Sequence, residues 1–264
     1  MQSSLIIATY NWPQALDLCL KSVLKQSVLP TNIIIADDGS GPETKLVVEK
    51  YQQLLPVPLI HVWHADDGFR LAQIRNKAAA IAKDYIIQVD GDLVLHQDFI
   101  KDHLEAASNG KFICGSRVIL NKDITGRLIA TASGKNYFGF FNTNISNRFN
   151  SLHIKALSNL INTFKDHNST SSIRGCNMSY WRKDFIAVNG YNEDFVGWGR
   201  EDSDLVIRFI KYNLKRRFFK FQGIVYHLYH HENDRGNLLK NDQLLEKAMK
   251  DPSFTCEKGI AQYL

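Results

Sequence analysis

The sequence predicts an α/β fold: one large domain around a mostly parallel, Rossmann-like central sheet, with helices on both of its faces. Three observations predict it. Short, predominantly apolar runs alternate with amphipathic helical segments four times in the first 90 residues. The runs are rich in Ile, Leu and Val, as strands buried on both faces require. Each run ends in a polar loop carrying Asp, Asn, Gly or Pro, residues that close strands and open turns.

The elements follow in order. Leu5-Ile6-Ile7-Ala8-Thr9 reads as a buried strand ended by Tyr10-Asn11-Trp12-Pro13. Pro13 suits the first turn of a helix, and Leu16, Cys19, Leu20, Val23 and Leu24 recur at helical spacing. Asn32-Ile33-Ile34-Ile35-Ala36 is a second strand closed by Asp37-Asp38-Gly39-Ser40-Gly41, and residues 43–54 are helical. Leu59-Ile60-His61-Val62-Trp63 is a third strand, residues 71–83 a helix, and Tyr85-Ile86-Ile87-Gln88-Val89 a fourth strand. From about residue 121 to 172 the alternation stops, and Gly126, Gly134, Gly139 and Asn168-Ser169-Thr170-Ser171-Ser172 predict mobile loops. Within that stretch, residues 148–165 set Leu157, Leu160, Ile161 and Phe164 on one face near Arg148, Lys155 and Lys165. This predicts a helix packed on the domain; the alternative is a basic amphipathic helix lying on a membrane. A helix begins at Glu201 with Leu205, Val206, Phe209 and Ile210 as its apolar positions, and Gly223-Ile224-Val225 is a strand. Residues 238–264 read as a helix followed by a loosely held tail.

Composition narrows the function. The 264 residues are enough for a sizeable core, and 44% hydrophobic with 22% charged residues is ordinary for a globular protein. No apolar run approaches the roughly 18–20 residues of a membrane span, and Met1-Gln2-Ser3-Ser4 leads straight into the first strand. A cytoplasmic protein without signal peptide is expected, with peripheral contact at the inner membrane face as an addition. Cys19, Cys114, Cys176 and Cys256 show no CxxC spacing, which argues against a disulfide framework or zinc site. Cys19 and Cys114 read as small core hydrophobes. A formal charge of +5 is modest and dispersed, densest at residues 211–220, and no aromatic-basic pattern supports nucleic acid as a partner. It equally suits phosphorylated donors or an anionic membrane bearing a lipid-linked acceptor.

The chemistry sits in the loops. Thr9-Tyr10-Asn11, Asp37-Asp38, His64-Ala65-Asp66-Asp67 and Asp90-Gly91-Asp92 all follow strands, so they converge outside the carboxyl ends of the sheet. Asp90-Gly91-Asp92 spaces two carboxylates for a divalent cation, Mn²⁺ or Mg²⁺, bridging diphosphate oxygens. In Asp37-Asp38-Gly39-Ser40 a carboxylate suits hydrogen bonding to uracil or ribose, against the plainer reading of a capped turn. Arg70 and Arg75 lie near a helix start, where one contacts a diphosphate or holds an acidic loop. Gly197-Trp198-Gly199-Arg200-Glu201-Asp202-Ser203-Asp204 sets an aromatic ring between two glycines ahead of adjacent carboxylates. The ring offers a sugar-stacking face and a carboxylate offers a base; the plain alternative is a helix stabilised at its first turn. Tyr226-His227-Leu228-Tyr229-His230-His231-Glu232 ends a strand, and one of its histidines is a candidate metal ligand, His227 or His230.

With these motifs the chain resembles the family 2 glycosyltransferases of GT-A fold. Its C-terminal half is similar to the galactosyltransferase-type segment of chondroitin-polymerase-like bacterial enzymes and animal β1,4-galactosyltransferases, through Gly-Trp-Gly-x-Glu-Asp-x-Asp. The resemblance implies residues 1–120 as a nucleotide-sugar-binding half and 121–264 as an acceptor-binding and catalytic half. It implies UDP contacts from Thr9, Tyr10, Asn11, Asp38, Asp66, Arg70, Arg75 and Asp90, and a Mn²⁺ or Mg²⁺ ion on Asp92 and His227. Asp202 becomes the general base, with Trp198, Gly199 and Glu201 at the donor sugar and acceptor. The implied reaction is an inverting transfer of galactose or N-acetylgalactosamine from a UDP-sugar to a glycan hydroxyl, in bacterial surface polysaccharide synthesis. Arg200 stands where the animal enzymes have glycine, so their acceptor geometry does not carry over. Two other classes stay open: a nucleotidyltransferase of related fold, whose glycine-rich first loop is missing here, and a non-catalytic sugar- or nucleotide-binding module.

Overall fold

Runs of Ile, Leu and Val build the centre of the molecule. The computed structural model describes residues 1–131, 140, 142, 144–231 and 235–264. Gly134, Gly139 and Glu232 lie outside the described residues. The chain begins β1 (Ser3–Thr9), α1 (Pro13–Val23), β2 (Asn32–Asp37), α2 (Pro42–Leu54), β3 (Leu59–Trp63), α3 (Leu71–Ala80) and β4 (Tyr85–Asp90). It continues with β5 (Leu93–Leu95), α4 (Phe99–Ala106), β6 (Lys111–Gly115), β7 (Val118–Leu120), α5 (Lys122–Thr131) and β8 (Ile145–Ser146). A 3₁₀ turn (Arg148–Ser151), α6 (Lys155–Thr163), β9 (Asn177–Trp181), α7 (Arg182–Ala187) and α8 (Glu201–Lys211) follow. The chain closes with β10 (Lys215–Phe219), β11 (Val225–His227), α9 (Leu238–Lys250) and a 3₁₀ turn (Ile260–Tyr263).

Seven strands form the main sheet in the order β10-β6-β9-β4-β1-β2-β3. β1 is parallel to β2 and β4, β2 to β3, and β10 to β6, while β9 runs antiparallel to β4 and β6. The register sets Thr9 beside Asp37 and Ala8 beside Asp90, so the loops after β1, β2 and β4 open at one edge. Side chains alternate between faces with the strand period of two. Ile6 and Ala8 join Ile34, Ile74, Phe185 and Phe209 in one buried layer; Leu5 and Ile7 join Leu16, Ile33, Tyr51 and Phe99 in the other. Cys19 and Cys114 are buried in these layers.

A smaller sheet, β5-β11-β7-β8, was not foreseen. Its antiparallel pairing of β11 with β5 sets His227 opposite Leu93, which brings the histidine against the Asp90–Asp92 loop. His227 therefore lies inside a strand, two residues beyond the Gly223-Ile224-Val225 run read from the sequence.

Four expectations need correction. The helix read over 71–83 ends at Ala80. The first part of the expected loop region is helical, because Ile124, Thr125 and Leu128 bury one face of α5 while Gly126 faces open space. The helix expected over 148–165 is broken: the Ile154 amide donates to Phe221 O at 3.0 Å, and His153 pairs with Asp102. In α6 Ser158 is buried while Leu160, and Phe164 just after the helix, are 56% and 82% exposed, so its apolar side is only partly packed on the domain. The tail is not loose: Ile260 is fully buried against α3, and Asn189 holds the Ile260 and Ala261 amides.

Candidate active site

Where β1, β2 and β4 end, a cavity of about 580 Å³ opens, lined by Thr9, Tyr10, Trp12, Asp38, Asp90, Asp92, Trp198 and His230 among others. Gly91 lets the chain turn tightly against β1; a Cβ there would stand 3.1 Å from Ala8 O and 3.2 Å from Thr9 Oγ1. The turn aims Asp90 and Asp92 to different partners. Asp90 accepts from Arg75 Nη2 at 2.7 Å, and Arg75 Nη1 reaches Glu201 at 3.4 Å. Arg75 is 2% exposed and lies over the Tyr191 ring. Burial opposes its charge, but Tyr191, Asp90 and Glu201 outweigh it and raise its pKa. Of the two roles expected of an arginine here, Arg75 takes the holding one: it links the β4 loop to the first turn of α8.

Asp92 faces two imidazoles. His227 Nε2 and His230 Nε2 lie 3.4 and 3.2 Å from Asp92 Oδ2. Each ring's Nδ1 meets a backbone carbonyl, Leu228 O at 2.8 Å and His231 O at 2.6 Å. Donation to a carbonyl leaves Nε2 with its lone pair, the tautomer a metal ligand needs. Asp92 Oδ1 is buried without a hydrogen-bond partner among the described residues. Burial works to raise Asp92, yet His230, His227 and Arg117 outweigh it and hold the carboxylate below its ordinary range. One anionic carboxylate with an orphaned oxygen and two oriented imidazoles fits a divalent cation such as Mn²⁺. The structure thus brings both candidate histidines to Asp92.

Gly197 and Trp198 of the Gly-Trp-Gly motif also line the cavity, while the carboxylates of Glu201 and Asp202 are not among its lining residues. Gly197 and Gly199 have φ of +80° and +99°, a left-handed backbone that suits glycine. Between them Trp198 is 37% exposed, with the Arg235 guanidinium 5.0 Å from its ring centre. Gly199 O accepts from Asn241 of α9, which ties the loop down. Asp202 Oδ2 accepts from the Gly175 amide at 2.9 Å, and Oδ1 from the Ser203 amide at 2.7 Å. Glu201 Oε2 is buried and unpartnered among the described residues. Burial, then repulsion from Asp202, push Glu201 up to about 7 against the pull of Arg75. Asp204 instead makes a buried ion pair with Arg208 at 2.6 Å and belongs to the framework.

At the third corner, Asp38 accepts from the Arg70 amide at 2.9 Å and meets His64 Nε2 at 2.8 Å. Burial raises its pKa, partly offset by those two groups. Tyr10 donates to Asp66 at 2.8 Å, and Arg70's guanidinium pairs with Asp67, so it serves the loop. Asn11 accepts from the Gly41 amide and likewise braces the loop. Gly39, at φ +97°, passes so close to Asp66 that a Cβ would stand 2.5 Å from its Cα. Arg117 and Gly175 were missed as contributors, while His64 was read only as part of its polar loop and not as the partner of Asp38.

Residues 4–186 match the family model described as Glycosyl transferase family 2. The chain belongs to that family. Residues 155–231 also match the model described as N-terminal domain of galactosyltransferase, a span that includes Trp198, Asp202 and His227. Curated relatives of this glycosyltransferase chain include chondroitin synthase of Pasteurella multocida (strain Pm70), 27% identical over 85% of the chain and 24% of the relative. Chondroitin synthase of Escherichia coli is 22% identical over 92% and 36%. Validoxylamine A glucosyltransferase of Streptomyces hygroscopicus subsp. limoneus is 25% identical over 78% and 47%. The chain thus spans less than half the length of each of these relatives. Among solved structures, S. aureus TarS 1-349 in complex with UDP superposes with TM-score 0.63 at 15% identity, over 100% of this chain and 68% of that one. Mannosyltransferase PcManGT from Pyrobaculum calidifontis, in complex with GDP-Man and Mn2+, gives 0.63 at 14% identity, over 95% and 65%. The fold is that of the GT-A glycosyltransferases, and glycosyl transfer is the activity of the family. No helix among the described residues is long and apolar enough to cross a membrane.

Proposed function

We propose that the chain is an inverting, metal-dependent glycosyltransferase that moves galactose or N-acetylgalactosamine from a UDP-sugar to a glycan hydroxyl. The acceptor is a lipid-linked glycan of a bacterial surface polysaccharide, reached by a cytoplasmic enzyme touching the membrane peripherally. The observation that carries this reading is the orphaned, buried Oδ1 of Asp92 beside two imidazoles, in the cavity that Trp198 also lines. A Mn²⁺ ion held by Asp92, His227 and His230 would neutralise charge on the departing diphosphate. Thr9, Tyr10, Asp38 and Asp66 would hold the uridine, with Asn11 and Arg70 shaping their loops. Asp90, fixed by Arg75, would lie at the ribose. Trp198 and Gly199 would shape the sugar subsite, and Glu201 would face the acceptor. The chondroitin synthase relatives and the UDP complex of a structural neighbour support the donor class.

Asp202 is the proposed base. Its two amide contacts fix the carboxylate in place, as a group that takes the acceptor proton must be. Asp202→Asn should lower transfer by roughly 10²–10⁴-fold while UDP affinity stays unchanged. Glu201 is the second reading, favoured by its unpartnered oxygen and its value near the operating pH. Full turnover in Asp202→Asn together with loss in Glu201→Gln would transfer the role to Glu201. A non-catalytic binding module would show ligand affinity with no turnover in any form.

A further inference from the structure

Among the described residues a second group of ligand-type side chains lies outside the cavity. His96 and Asp98 stand in the turn between β5 and α4, and His153 precedes α6. The three residues of β5 separate His96 from Asp92, four steps or about 13 Å at the rise of a strand, so the two clusters are distinct. We propose that His96, Asp98 and His153 form a second metal site, for a borderline divalent cation of the Zn²⁺ class.

Each residue can offer one ligand atom, and these atoms lie within 4.8 Å of one another. A tetrahedral set at zinc distances has edges of roughly 3.3 Å, so modest side-chain rotation closes the group. The two imidazoles come from segments far apart in sequence yet stack with centroids 4.8 Å apart and planes 27° from parallel. His153 is oriented in the manner of a metal ligand. Its Nε2 meets the buried carboxylate of Asp102 at 2.8 Å, which leaves Nδ1 as the ligand atom. Asp102 is itself fixed by the Gly223 amide at 3.0 Å and by Lys155 at 3.2 Å. Asp98 keeps one oxygen after accepting from Ser27 Oγ at 2.7 Å. His96 Nδ1 has a long contact of 3.2 Å with the Asp98 amide, which a metal bond would replace.

The frame around the ligands is firm. His96 donates its amide to Ile224 O, its carbonyl accepts from Phe99 N and Gln26 Nε2, and Gln97 O accepts from Ser27 N. Two imidazoles and a carboxylate suit Zn²⁺ or Co²⁺ better than Mg²⁺, with solvent in the remaining position. Bound there, the ion joins the segment before α6 to the start of α4, a clamp on the half-exposed α6.

The test uses the untagged full chain carrying Asp92→Ala, which removes the cavity's carboxylate ligand. Titrated with Co²⁺, this protein should develop the visible d–d bands of one bound equivalent, displaced by Zn²⁺. Adding Asp98→Asn, which keeps the side-chain shape, should weaken binding at least tenfold, and adding His96→Gln should abolish the bands. Zn²⁺ should raise the Tm of Asp92→Ala and leave that of the His96→Gln double variant unchanged, with both folded in EDTA by circular dichroism. No Co²⁺ bands in Asp92→Ala, or bands indifferent to Asp98→Asn and His96→Gln, would overturn the site.

Discussion

Glu201 lies at the first turn of α8, where burial and the neighbouring Asp202 both oppose its charge. Its folded value of about 7 exceeds the ordinary 4.5, so between these pH values the folded protein holds a proton that the unfolded chain has lost. The stability this gives is complete below pH 4.5 and is lost as pH rises through about 7. Glu201→Gln should therefore unfold at higher urea than the parent at pH 8, by on the order of 2 kcal/mol, with a smaller difference at pH 5. Equal urea midpoints at pH 8, measured in EDTA, would mean that Arg75 already neutralises the carboxylate. Residue types at loop positions singled out Asp92 and Trp198, and both line the cavity. Arg75 was legible only as one of two arginines, because what decides its part is burial against Asp90, Glu201 and Tyr191, and sequence spacing does not report burial.

At the scale of elements, α4 shows how a polar residue becomes part of a core. His103 is fully buried, between Ser179 Oγ at 2.7 Å and Asn177 Oδ1 at 3.1 Å. Burial pushes its pKa down from 6.5 to about 4, so below pH 6.5 the unfolded chain takes up a proton that the folded state refuses. Its contribution is present above pH 6.5 and falls away toward pH 4. On acidification from pH 7 to pH 5, His103→Gln should lose less Tm than the parent; an equal loss would show that His103 does not drive acid sensitivity. The sign is opposite to that of Glu201, so the two variants separate overlapping pH effects. Elements with strong apolar period were legible: the four early strands, α1, α2 and α8. α5 was not, since Gly126 and the surrounding polar residues read as loop while Ile124 and Leu128 supply just enough apolar face. The break before α6 was hidden because its cause, the Phe221 carbonyl, arrives from 67 positions away in the sequence (221 − 154).

At the scale of the molecule, the last residues are part of the fold. Gly259 passes close to Asn189, Ile260 fills a fully buried position against α3, and Tyr263 donates to Glu193 at 3.0 Å. Ile260→Ala should destabilise the protein by roughly 2–4 kcal/mol, read from chemical unfolding. A change under about 0.5 kcal/mol would return these residues to the loosely held tail that their polarity suggested. The mostly parallel sheet and the meeting of the loops after β1, β2 and β4 followed from alternation, because parallel strands joined by helices must end together at one edge; the strand order did not. The smaller sheet escaped because its strands are two or three residues long, too short to carry a period.

These scales meet in one claim: a cation on Asp92, His227 and His230 and a base on α8 act on a UDP-sugar between them. The most direct test is UDP release from a panel of UDP-sugars, measured with Mn²⁺ and with EDTA, for the parent and Asp92→Ala. The account predicts Mn²⁺-dependent release from UDP-galactose or UDP-N-acetylgalactosamine that Asp92→Ala abolishes. Release that persists in EDTA, or silence across the panel with no UDP binding by calorimetry, would contradict it.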